Sequence, residues 1–296
     1  AAEQDIIEKI DIGGISLIRA AAKNFKDVII VASKQQYGKL DALLAEKQGI
    51  SSIEDRKSFA CDAFNVSSHY DSAIFNYFNQ GNEGSEKISL TNGKVLRYGE
   101  NPHQKAVFYQ FANTNLEHTL ANSPCLQGKE ISYNNMLDAD AAWKSASDAY
   151  NSVENVPNKV AVSVVKHLNP CGLAVASTPM RALELAWAGD PVSAYGGIVC
   201  FTSEVDAEIA NWFTGKFIEI MIAPSYTAEA KEILAKKKNL RVLVTPVKPA
   251  ITGEKLYRSV NGGLLVQDED EGMDTEYKPV TNKKKKKKQI DLAKFG

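Results

Sequence analysis

Two adjacent side chains that can carry charge and move protons, Lys166 and His167, directly follow an apolar run at 161–165. Such β-branched runs are typical of buried strands in α/β sheets, and Pro170 and Gly172 predict the end of the strand. Ligands bind at the carboxyl ends of strands in open α/β sheets. A Lys there supplies a fixed cation, and a His transfers protons near neutral pH. The alternative is that both residues have only a structural role. The Lys would then extend its apolar stem to bring its amine to solvent, and the His would have its ring nitrogens hydrogen-bonded in the core.

The composition is that of an ordinary soluble globular protein, with 44% hydrophobic and 24% charged residues among 296. This length predicts two domains. A net charge of −1 argues against a dominant role on nucleic acid or on a membrane surface. No apolar run approaches the roughly 18 residues that a membrane helix needs, and the N-terminus lacks the features of a signal peptide. We therefore expect a cytoplasmic protein.

The four cysteines are widely spaced and form no CxxC pair, which favours reduced thiols over disulfides or structural zinc. They are Cys61, Cys125, Cys171 and Cys200. A zinc nucleobase deaminase needs His-x-Glu and Pro-Cys-x-x-Cys. Here Asn169 stands where the Glu would follow His167, and Ala174 stands where the second Cys would follow Cys171. The sequence therefore predicts no metal site.

A first block, residues 1–80, has a mostly α/β pattern. Gly13 and Gly14 precede a helical pattern, and a Gly pair at a helix N-terminus can bind phosphate; a plain loop is the alternative. The predicted elements are a helix at 17–23, a strand at 28–32 and helices around 36–48 and 54–78.

A second block follows a polar, Gly-rich linker at 80–85. Two short apolar runs separated by Asn92-Gly93 predict a hairpin. Alternating helices and strands predict a largely parallel or mixed sheet covered by helices. The predicted elements are hairpin strands at 88–90 and 94–96, helices at 138–150 and 179–188, and strands at 159–165 and 197–202.

The end of the chain is highly charged, with acidic residues at 268–271 and six consecutive lysines, Lys283 to Lys288. Such runs cannot bury apolar surface and are usually solvated. The alternative is a contact with a polyanion, although no aromatic side chain is interleaved to stack on bases. We predict a disordered tail at 268–296.

Five motifs occur in a fixed order in the second block, together with the Lys166-His167 segment. They are RYGENPHQ at 97–104, GKEISYNNMLD at 128–138, GDPVSAYGG at 189–197, EIMIAPSY at 219–226 and RSVNGGLL at 258–265. In the first block, residues 11–14 are DIGG and residues 19–23 are RAAAK. The second-block motifs resemble the transformylase domain of the bifunctional PurH family, which combines AICAR transformylase with IMP cyclohydrolase. The first-block residues resemble the end of the cyclohydrolase domain of that family.

The resemblance implies an α/β fold in two parts. Residues 1–80 would be the C-terminal remnant of a methylglyoxal-synthase-like, Rossmann-type cyclohydrolase domain. Residues 81–267 would be the first half of a cytidine-deaminase-like α/β/α transformylase domain. Family members are much longer, so we expect an internal fragment or truncated form.

For the transformylase, the resemblance implies formyl transfer from 10-formyltetrahydrofolate to the 5-amino group of AICAR. His167 matches the proton-transfer His, and Lys166 matches the catalytic Lys that steadies an oxyanion. The substrate-binding positions match Arg97, Tyr98, Asn135, Tyr195, Gly196 and Glu219. Of these, Arg97 suits phosphate, Asn135 suits a carboxamide or base edge, and Glu219 suits ribose hydroxyls.

For the cyclohydrolase, which closes formyl-AICAR to IMP, Asp11 and Lys23 match two active-site positions. The other residues of that site would lie upstream, so we expect no cyclisation from this chain alone. The resemblance also implies a homodimer with AICAR and folate as its small-molecule partners, and no metal in the site. The competing hypothesis is a catalytically inactive nucleotide-binding or scaffold protein whose lysine tail contacts polyanions.

Overall fold

A computed structural model describes residues 2–112, 117, 119–249, 253–270 and 272. The chain divides into two compact units, one formed by Ala1–Gly93 and Tyr109–Thr114 and the other by Lys94–Phe108 and Asn115–Gly296. The division runs through two paired strands, β1 (Leu90–Val95) and β2 (Val107–Phe111). The domain boundaries drawn from the sequence stay predictions, and the lysine run at 283–288 lies outside the described residues.

The first unit is mainly helical, which corrects the α/β pattern predicted for residues 1–80. Its small core joins Ala22 to Ala60 and Ala63, so that the second of its helices packs on the fourth. The longest helix begins at a capping box in which Ser52 and Asp55 accept each other's backbone N–H groups. The helices are α1 (Glu3–Ile7), α2 (Gly13–Lys23), α3 (Tyr37–Glu46) and α4 (Ile53–Phe78).

The strand predicted at 28–32 is wrong. These residues have no regular secondary structure, although Ile30 and Ala32 pack against the small core. A β-branched run indicates burial, but a strand also needs a neighbouring backbone to bond with. The described part of the first unit places no strand beside this segment.

The hairpin predicted at Asn92-Gly93 is also wrong, because β1 runs straight through this dipeptide. The strand pairs with β2 instead, and the bonds from Leu96 N to Ala106 O and from Ala112 N to Ser89 O make the pair antiparallel. A Cβ on Gly93 would lie 2.6 Å from the Tyr109 ring. Gly93 therefore makes room for a cross-strand aromatic side chain.

The second unit contains a six-stranded mixed sheet, which confirms the predicted sheet type. The strand order is β3-β8-β7-β6-β4-β5. The central strands β6, β7 and β8 are parallel, whereas β3, β4 and β5 each run antiparallel to their neighbours. The strands are β3 (Cys125–Gln127), β4 (Val160–Lys166), β5 (Asn169–Ala176), β6 (Ile198–Phe201), β7 (Ile220–Ala223) and β8 (Arg241–Val244).

Helices cover both faces of this sheet. Alternate residues of β4 point to opposite faces: Val162 and Val164 join one core, and Val165 joins the other. The second of these cores is formed with α5 (Tyr133–Ser152). The first is formed with α6 (Pro179–Gly189), α7 (Ala207–Trp212) and α8 (Ala228–Ala235). The helices predicted at 138–150 and 179–188 and the strands at 159–165 and 197–202 are thus confirmed.

A buried ion pair ties the end of the second unit to α5. Lys248 Nζ lies 2.7 Å from Glu269 Oε2, and both side chains are at least nine-tenths buried. Lys144 of α5 lies 3.5 Å from the other oxygen of Glu269. Glu269 directly follows an antiparallel hairpin of β9 (Lys255–Val260) and β10 (Gly263–Asp268), so the pair anchors the base of that hairpin.

Candidate functional site

A cavity of about 420 Å³ in the second unit gathers most of the residues that the resemblance marks for the transformylase site. Six of the residues singled out in the sequence line it, from five separate parts of the unit. They are Tyr98, Asn135, Lys166, His167, Gly196 and Glu219. The chain therefore brings distant motifs to one concave surface, as expected of a ligand site.

Lys166 and His167 stand at a tight turn, which corrects the expectation that the strand ends at Pro170 and Gly172. Lys166 pairs with Asn169, so His167 and Leu168 alone connect β4 to β5. Their φ angles are 56° and 68°, as the two central residues of a type I′ turn require. The left-handed conformation is strained for side chains of this size.

Pro170 and Gly172 lie within β5, one of the two edge strands of the sheet. Pro has no N–H to donate and is tolerated at an edge. The pairing with β4 shifts register here, since Val164 faces Gly172 but Val165 faces Pro170. A Cβ on Gly172 would lie only 1.7 Å from Ala186 O, so Gly is needed where α6 crosses the strand.

Two contacts hold the turn. Leu168 N donates to Asp138 Oδ1 at 2.7 Å, and Lys166 Nζ donates to the carbonyl oxygen of Tyr195 at 2.9 Å. The ammonium group has three donors, so two remain for a ligand. Within the described part of the chain no carboxylate forms an ion pair with Lys166. The contacts fix the Lys166 amine at the cavity while leaving its charge available.

His167 is exposed, and its ring has no hydrogen-bond partner among the residues that the structure describes. This geometry differs from the structural alternative of a core histidine with satisfied nitrogens. A ring without internal partners can accept or donate a proton to a ligand in the cavity.

The cavity lies at the amino ends of the three parallel strands. Gly196 precedes β6, Glu219 precedes β7 and Arg241 opens β8. Because β4 is antiparallel to β6, the carboxyl end of β4 meets these amino ends, with Val165 opposite Ile198. The cavity therefore lies at the carboxyl end of β4, where the sequence predicted a ligand site, but at the amino ends of β6, β7 and β8.

Glu219 is held by two donors that both meet the same oxygen. Asn135 Nδ2 donates to Glu219 Oε2 at 2.8 Å, and Arg241 Nη1 lies 3.5 Å from that oxygen. Arg241 is 5% exposed and also donates to the carbonyl oxygens of Lys129 and Glu130. Burial lowers the pKa of Arg241, and the charge of Glu219 opposes this shift.

Asn135 serves the start of α5 as well. Ser132 Oγ accepts the N–H of Asn135, and Asn135 Oδ1 accepts the N–H of Ser132, which makes a capping box. Its amide oxygen is therefore shared with the helix cap, and its amide nitrogen is shared with Glu219. The predicted role toward a carboxamide or base edge would have to use the remaining lone pair or N–H.

Arg97 and Tyr98 form a stacked pair. The Arg97 guanidinium lies 4.7 Å from the centre of the Tyr98 ring, and Nη2 is 3.4 Å from the hydroxyl. Tyr98 lines the cavity, whereas Arg97 is exposed and does not line it. Its charge thus stands beside the cavity wall that Tyr98 forms.

Tyr195 and Gly196 differ in the same way. The Tyr195 side chain is 64% exposed and packs on the Phe217 ring at 5.3 Å, outside the lining of the cavity. Gly196 lines the cavity, and its φ of 73° favours Gly. A Cβ there would lie 3.2 Å from the Phe217 ring.

Asp11 and Lys23 lie in the first unit, at opposite ends of α2, whose 11 residues span roughly 16 Å at a rise of 1.5 Å per residue. Asp11 caps the helix: its two carboxylate oxygens accept the N–H groups of Gly14 and Ile15 at 3.1 and 2.6 Å. The helix begins at Gly13, inside the glycine pair, and the Asp11 carboxylate occupies the place suggested for a phosphate.

Sequence reasoning missed two residues of the site. Asp138 lines the cavity and holds the turn, and it stands at the end of a quoted motif, which could have singled it out. Arg241 lies outside every motif named above, and no local signal identifies it.

Across the described ranges, no group of three or more His, Cys, Asp or Glu side chains is placed to hold a metal ion. No helix described here has the length and apolar character to cross a membrane.

Comparison with known families decides the relationship. A family model described as the AICARFT/IMPCHase bienzyme matches residues 21–296. The chain belongs to this family. Among its relatives, the bifunctional purine biosynthesis protein PurH of Bacteroides thetaiotaomicron is 48% identical over 285 residues, covering 96% of the chain and 53% of the relative.

Two further relatives with the same description are more distant. The protein of Petrotoga mobilis is 40% identical over 286 residues, and that of Listeria monocytogenes serotype 4b is 43% identical over 289 residues. Each match covers 95% of the chain and 54% of the relative. The chain thus spans about half the length of these AICARFT/IMPCHase family members.

Similarity to solved structures is weak. Acinetobacter baumannii RibD matches with a TM-score of 0.27 at 16% identity, covering 34% of this chain and 32% of that one. A formate dehydrogenase accessory protein from Desulfotalea psychrophila gives a TM-score of 0.29 at 10% identity, covering 70% and 78%. Scores this low carry no fold argument.

Proposed function

We propose that the second unit binds AICAR and provides the proton-transfer and cationic groups for formyl transfer in purine nucleotide biosynthesis. The observation that carries the proposal is the meeting of Lys166 and His167 with Glu219 around one cavity, in a chain of the AICARFT/IMPCHase family. Since the chain spans about half of its relatives, the activity of the whole protein is part of the proposal.

The chemistry needs a base and a cation. The 5-amino group of AICAR is a poor nucleophile because its lone pair is delocalised into the ring and the carboxamide. The exposed ring of His167 would take the proton as the N–C bond forms, and the two spare donors of Lys166 would stabilise the tetrahedral oxyanion. The formyl group would come from 10-formyltetrahydrofolate, for which the site would have to leave room beside the amine.

The remaining residues would bind the nucleotide. Arg97, stacked on Tyr98, would meet the phosphate with its free N–H groups. Asn135 would contact the carboxamide or base edge, and Tyr195 and Gly196 would approach the ligand from the β6 side. Glu219 would accept from ribose hydroxyls.

We also propose the family's finer features for this chain. The first unit would have a methylglyoxal-synthase-like fold and the second a cytidine-deaminase-like fold. The protein would be a homodimer in the cytoplasm. Asp11 and Lys23 would belong to the cyclohydrolase site. Because Asp11 already caps α2, its part in cyclisation would depend on lone pairs that the cap leaves free. The polyanion-binding alternative has no supporting observation.

Calorimetric titration of AICAR into the 296-residue chain tests the proposal. We expect saturable binding that Arg97→Ala weakens about tenfold or more, since a hydrogen bond between charged groups contributes about 1.5–3 kcal/mol. Arg181→Ala is the matched control, because Arg181 is an exposed arginine paired with Glu184 on α6 and does not line the cavity. Absence of binding by a folded chain would refute the proposal.

A further inference from the structure

The two carboxylate oxygens of Glu219 are in different situations. Both Asn135 Nδ2 and Arg241 Nη1 point to Oε2. Among the described residues no donor reaches Oε1, and the side chain is 39% exposed at the cavity. One oxygen is thus held by the protein, and the other is left for a ligand.

Arg241 cannot touch that ligand itself. Its side chain is 6% exposed, and it does not line the cavity. Its Nε and Nη2 donors are used on the carbonyl oxygens of Lys129 and Glu130, in the loop that leads to α5. Whatever Arg241 does for a ligand must therefore pass through Glu219 or through this loop.

Asn135 is fixed from the other side. The capping box with Ser132 orients its amide, so that Nδ2 is directed at Glu219. The carboxylate is therefore held between a helix N-terminus and the opening residue of β8. Two N–H donors thus hold one oxygen, and a carboxylate oxygen only accepts hydrogen bonds.

We propose that Arg241 is a positioning residue that, together with Asn135, presents Glu219 Oε1 to the vicinal hydroxyls of a ribose. The arrangement makes the cavity selective for ribonucleotides over nucleotides that lack these hydroxyls. This inference rests on the proposed function, because AICAR supplies the ribose. The ribose contact of Glu219 already belongs to that function, and the inference adds Arg241, a residue outside every motif, as the group that makes this contact selective.

The test compares the binding of AICAR with that of its 2′,3′-dideoxyribosyl analogue by calorimetry, on the complete chain. The wild type is expected to bind AICAR at least about tenfold more tightly than the analogue. The reason is that the Glu219 carboxylate accepts charge-assisted hydrogen bonds from the ribose hydroxyls, which the analogue lacks. Two variants then disturb the carboxylate from opposite sides.

Asn135→Asp keeps an oxygen that caps α5 but removes the N–H directed at Glu219. Arg241→Lys keeps a positive charge but cannot reach two carbonyl oxygens and a carboxylate at once. Arg181→Lys, at the exposed pair on α6, is the control. Circular dichroism establishes whether each variant is folded. If Arg241→Lys does not fold, Asn135→Asp alone is enough for the test.

Each variant should lower the ratio of the two dissociation constants to below about threefold, while the control keeps the wild-type ratio. A purely structural role would weaken both ligands equally and leave the ratio unchanged, which would overturn the inference. A wild-type ratio near one would also overturn it and leave the proposed function standing. Binding of neither ligand by the folded wild type would refute both.

Discussion

Replacing Leu168 by Gly and by Ala measures the strain in the turn that carries His167. Leu168 has a φ of 68° and a side chain that is 51% exposed. Both substitutions remove the same apolar side chain, but only Gly relieves the left-handed strain. That relief amounts to about 1–2 kcal/mol. The greater backbone freedom of Gly costs about 0.5–1 kcal/mol. We therefore expect Leu168→Gly to be more stable than Leu168→Ala by about 1 kcal/mol.

The assay is urea unfolding followed by tryptophan fluorescence. All three tryptophans, Trp143, Trp187 and Trp212, lie in α5, α6 and α7, so the signal reports on the second unit alone. A difference of 1 kcal/mol corresponds to about 2–4 °C in the melting temperature of a unit of this size.

A control at Leu173 should show the usual order of stability, in which the Ala variant is more stable than the Gly variant. Leu173 lies in β5 and pairs with Ser163, and φ there is not positive. Ala should therefore be the more stable replacement at this position, by about 0.5–1 kcal/mol. If Ala is also the better residue at 168, the turn is not strained and the reasoning is wrong.

Three further predictions concern side-chain contacts. Asp138→Ala should lower the free energy of unfolding by about 1 kcal/mol in the same assay, and Asp138→Asn by less, since it keeps an acceptor for the turn amide. Glu269→Gln should cost about 3–5 kcal/mol because it removes the carboxylate that pairs with the buried Lys248 charge, and Lys248→Met/Glu269→Leu should recover most of that loss. A hydrogen bond from Lys47 lowers the pKa of Asp55 to about 2, so its stabilisation is present above the unfolded pKa and lost as the pH falls to about 2. Circular dichroism should show the wild type losing helix more steeply than Asp55→Asn over that range; equal slopes would contradict this.

The longer helices, α2 to α6, were predictable because their signals are local, whereas the shorter α1, α7 and α8 were not predicted. The pattern around 54–78 matches α4 (Ile53–Phe78), whose capping box at Ser52 lies within four residues of sequence. The apolar runs of β4 and β6 were found in the same way. Strand direction was not, since the antiparallel pairing of β4 with β6 joins residues more than thirty positions apart.

The failures have a common cause. The run at 28–32 has the composition of a strand, and Asn92-Gly93 has the composition of a turn. The secondary structure that each segment adopts, however, depends on the residues that pack beside it. The Tyr109 ring across β1 is one such neighbour. Arg241 is a third case: its importance comes from Glu219, which is twenty-two residues earlier in the chain.

The site was predictable to the extent that its motifs are contiguous. Lys166 and His167 could be paired from sequence because they are adjacent. The exclusion of Arg97 and Tyr195 from the cavity lining depends on side-chain direction, which no motif encodes. The capping role of Asp11 would have required knowing that α2 begins within the glycine pair.

The edges of the six-stranded sheet bear on aggregation. One edge is β3, which is only three residues long, and the other is β5, which carries Pro170 and a register shift beside it. Short strands, prolines and bulges are the features by which natural sheets avoid adding a strand from a second molecule. Association through the six-stranded sheet should therefore use its side-chain surfaces rather than edge extension, and these two edges should not template fibrils.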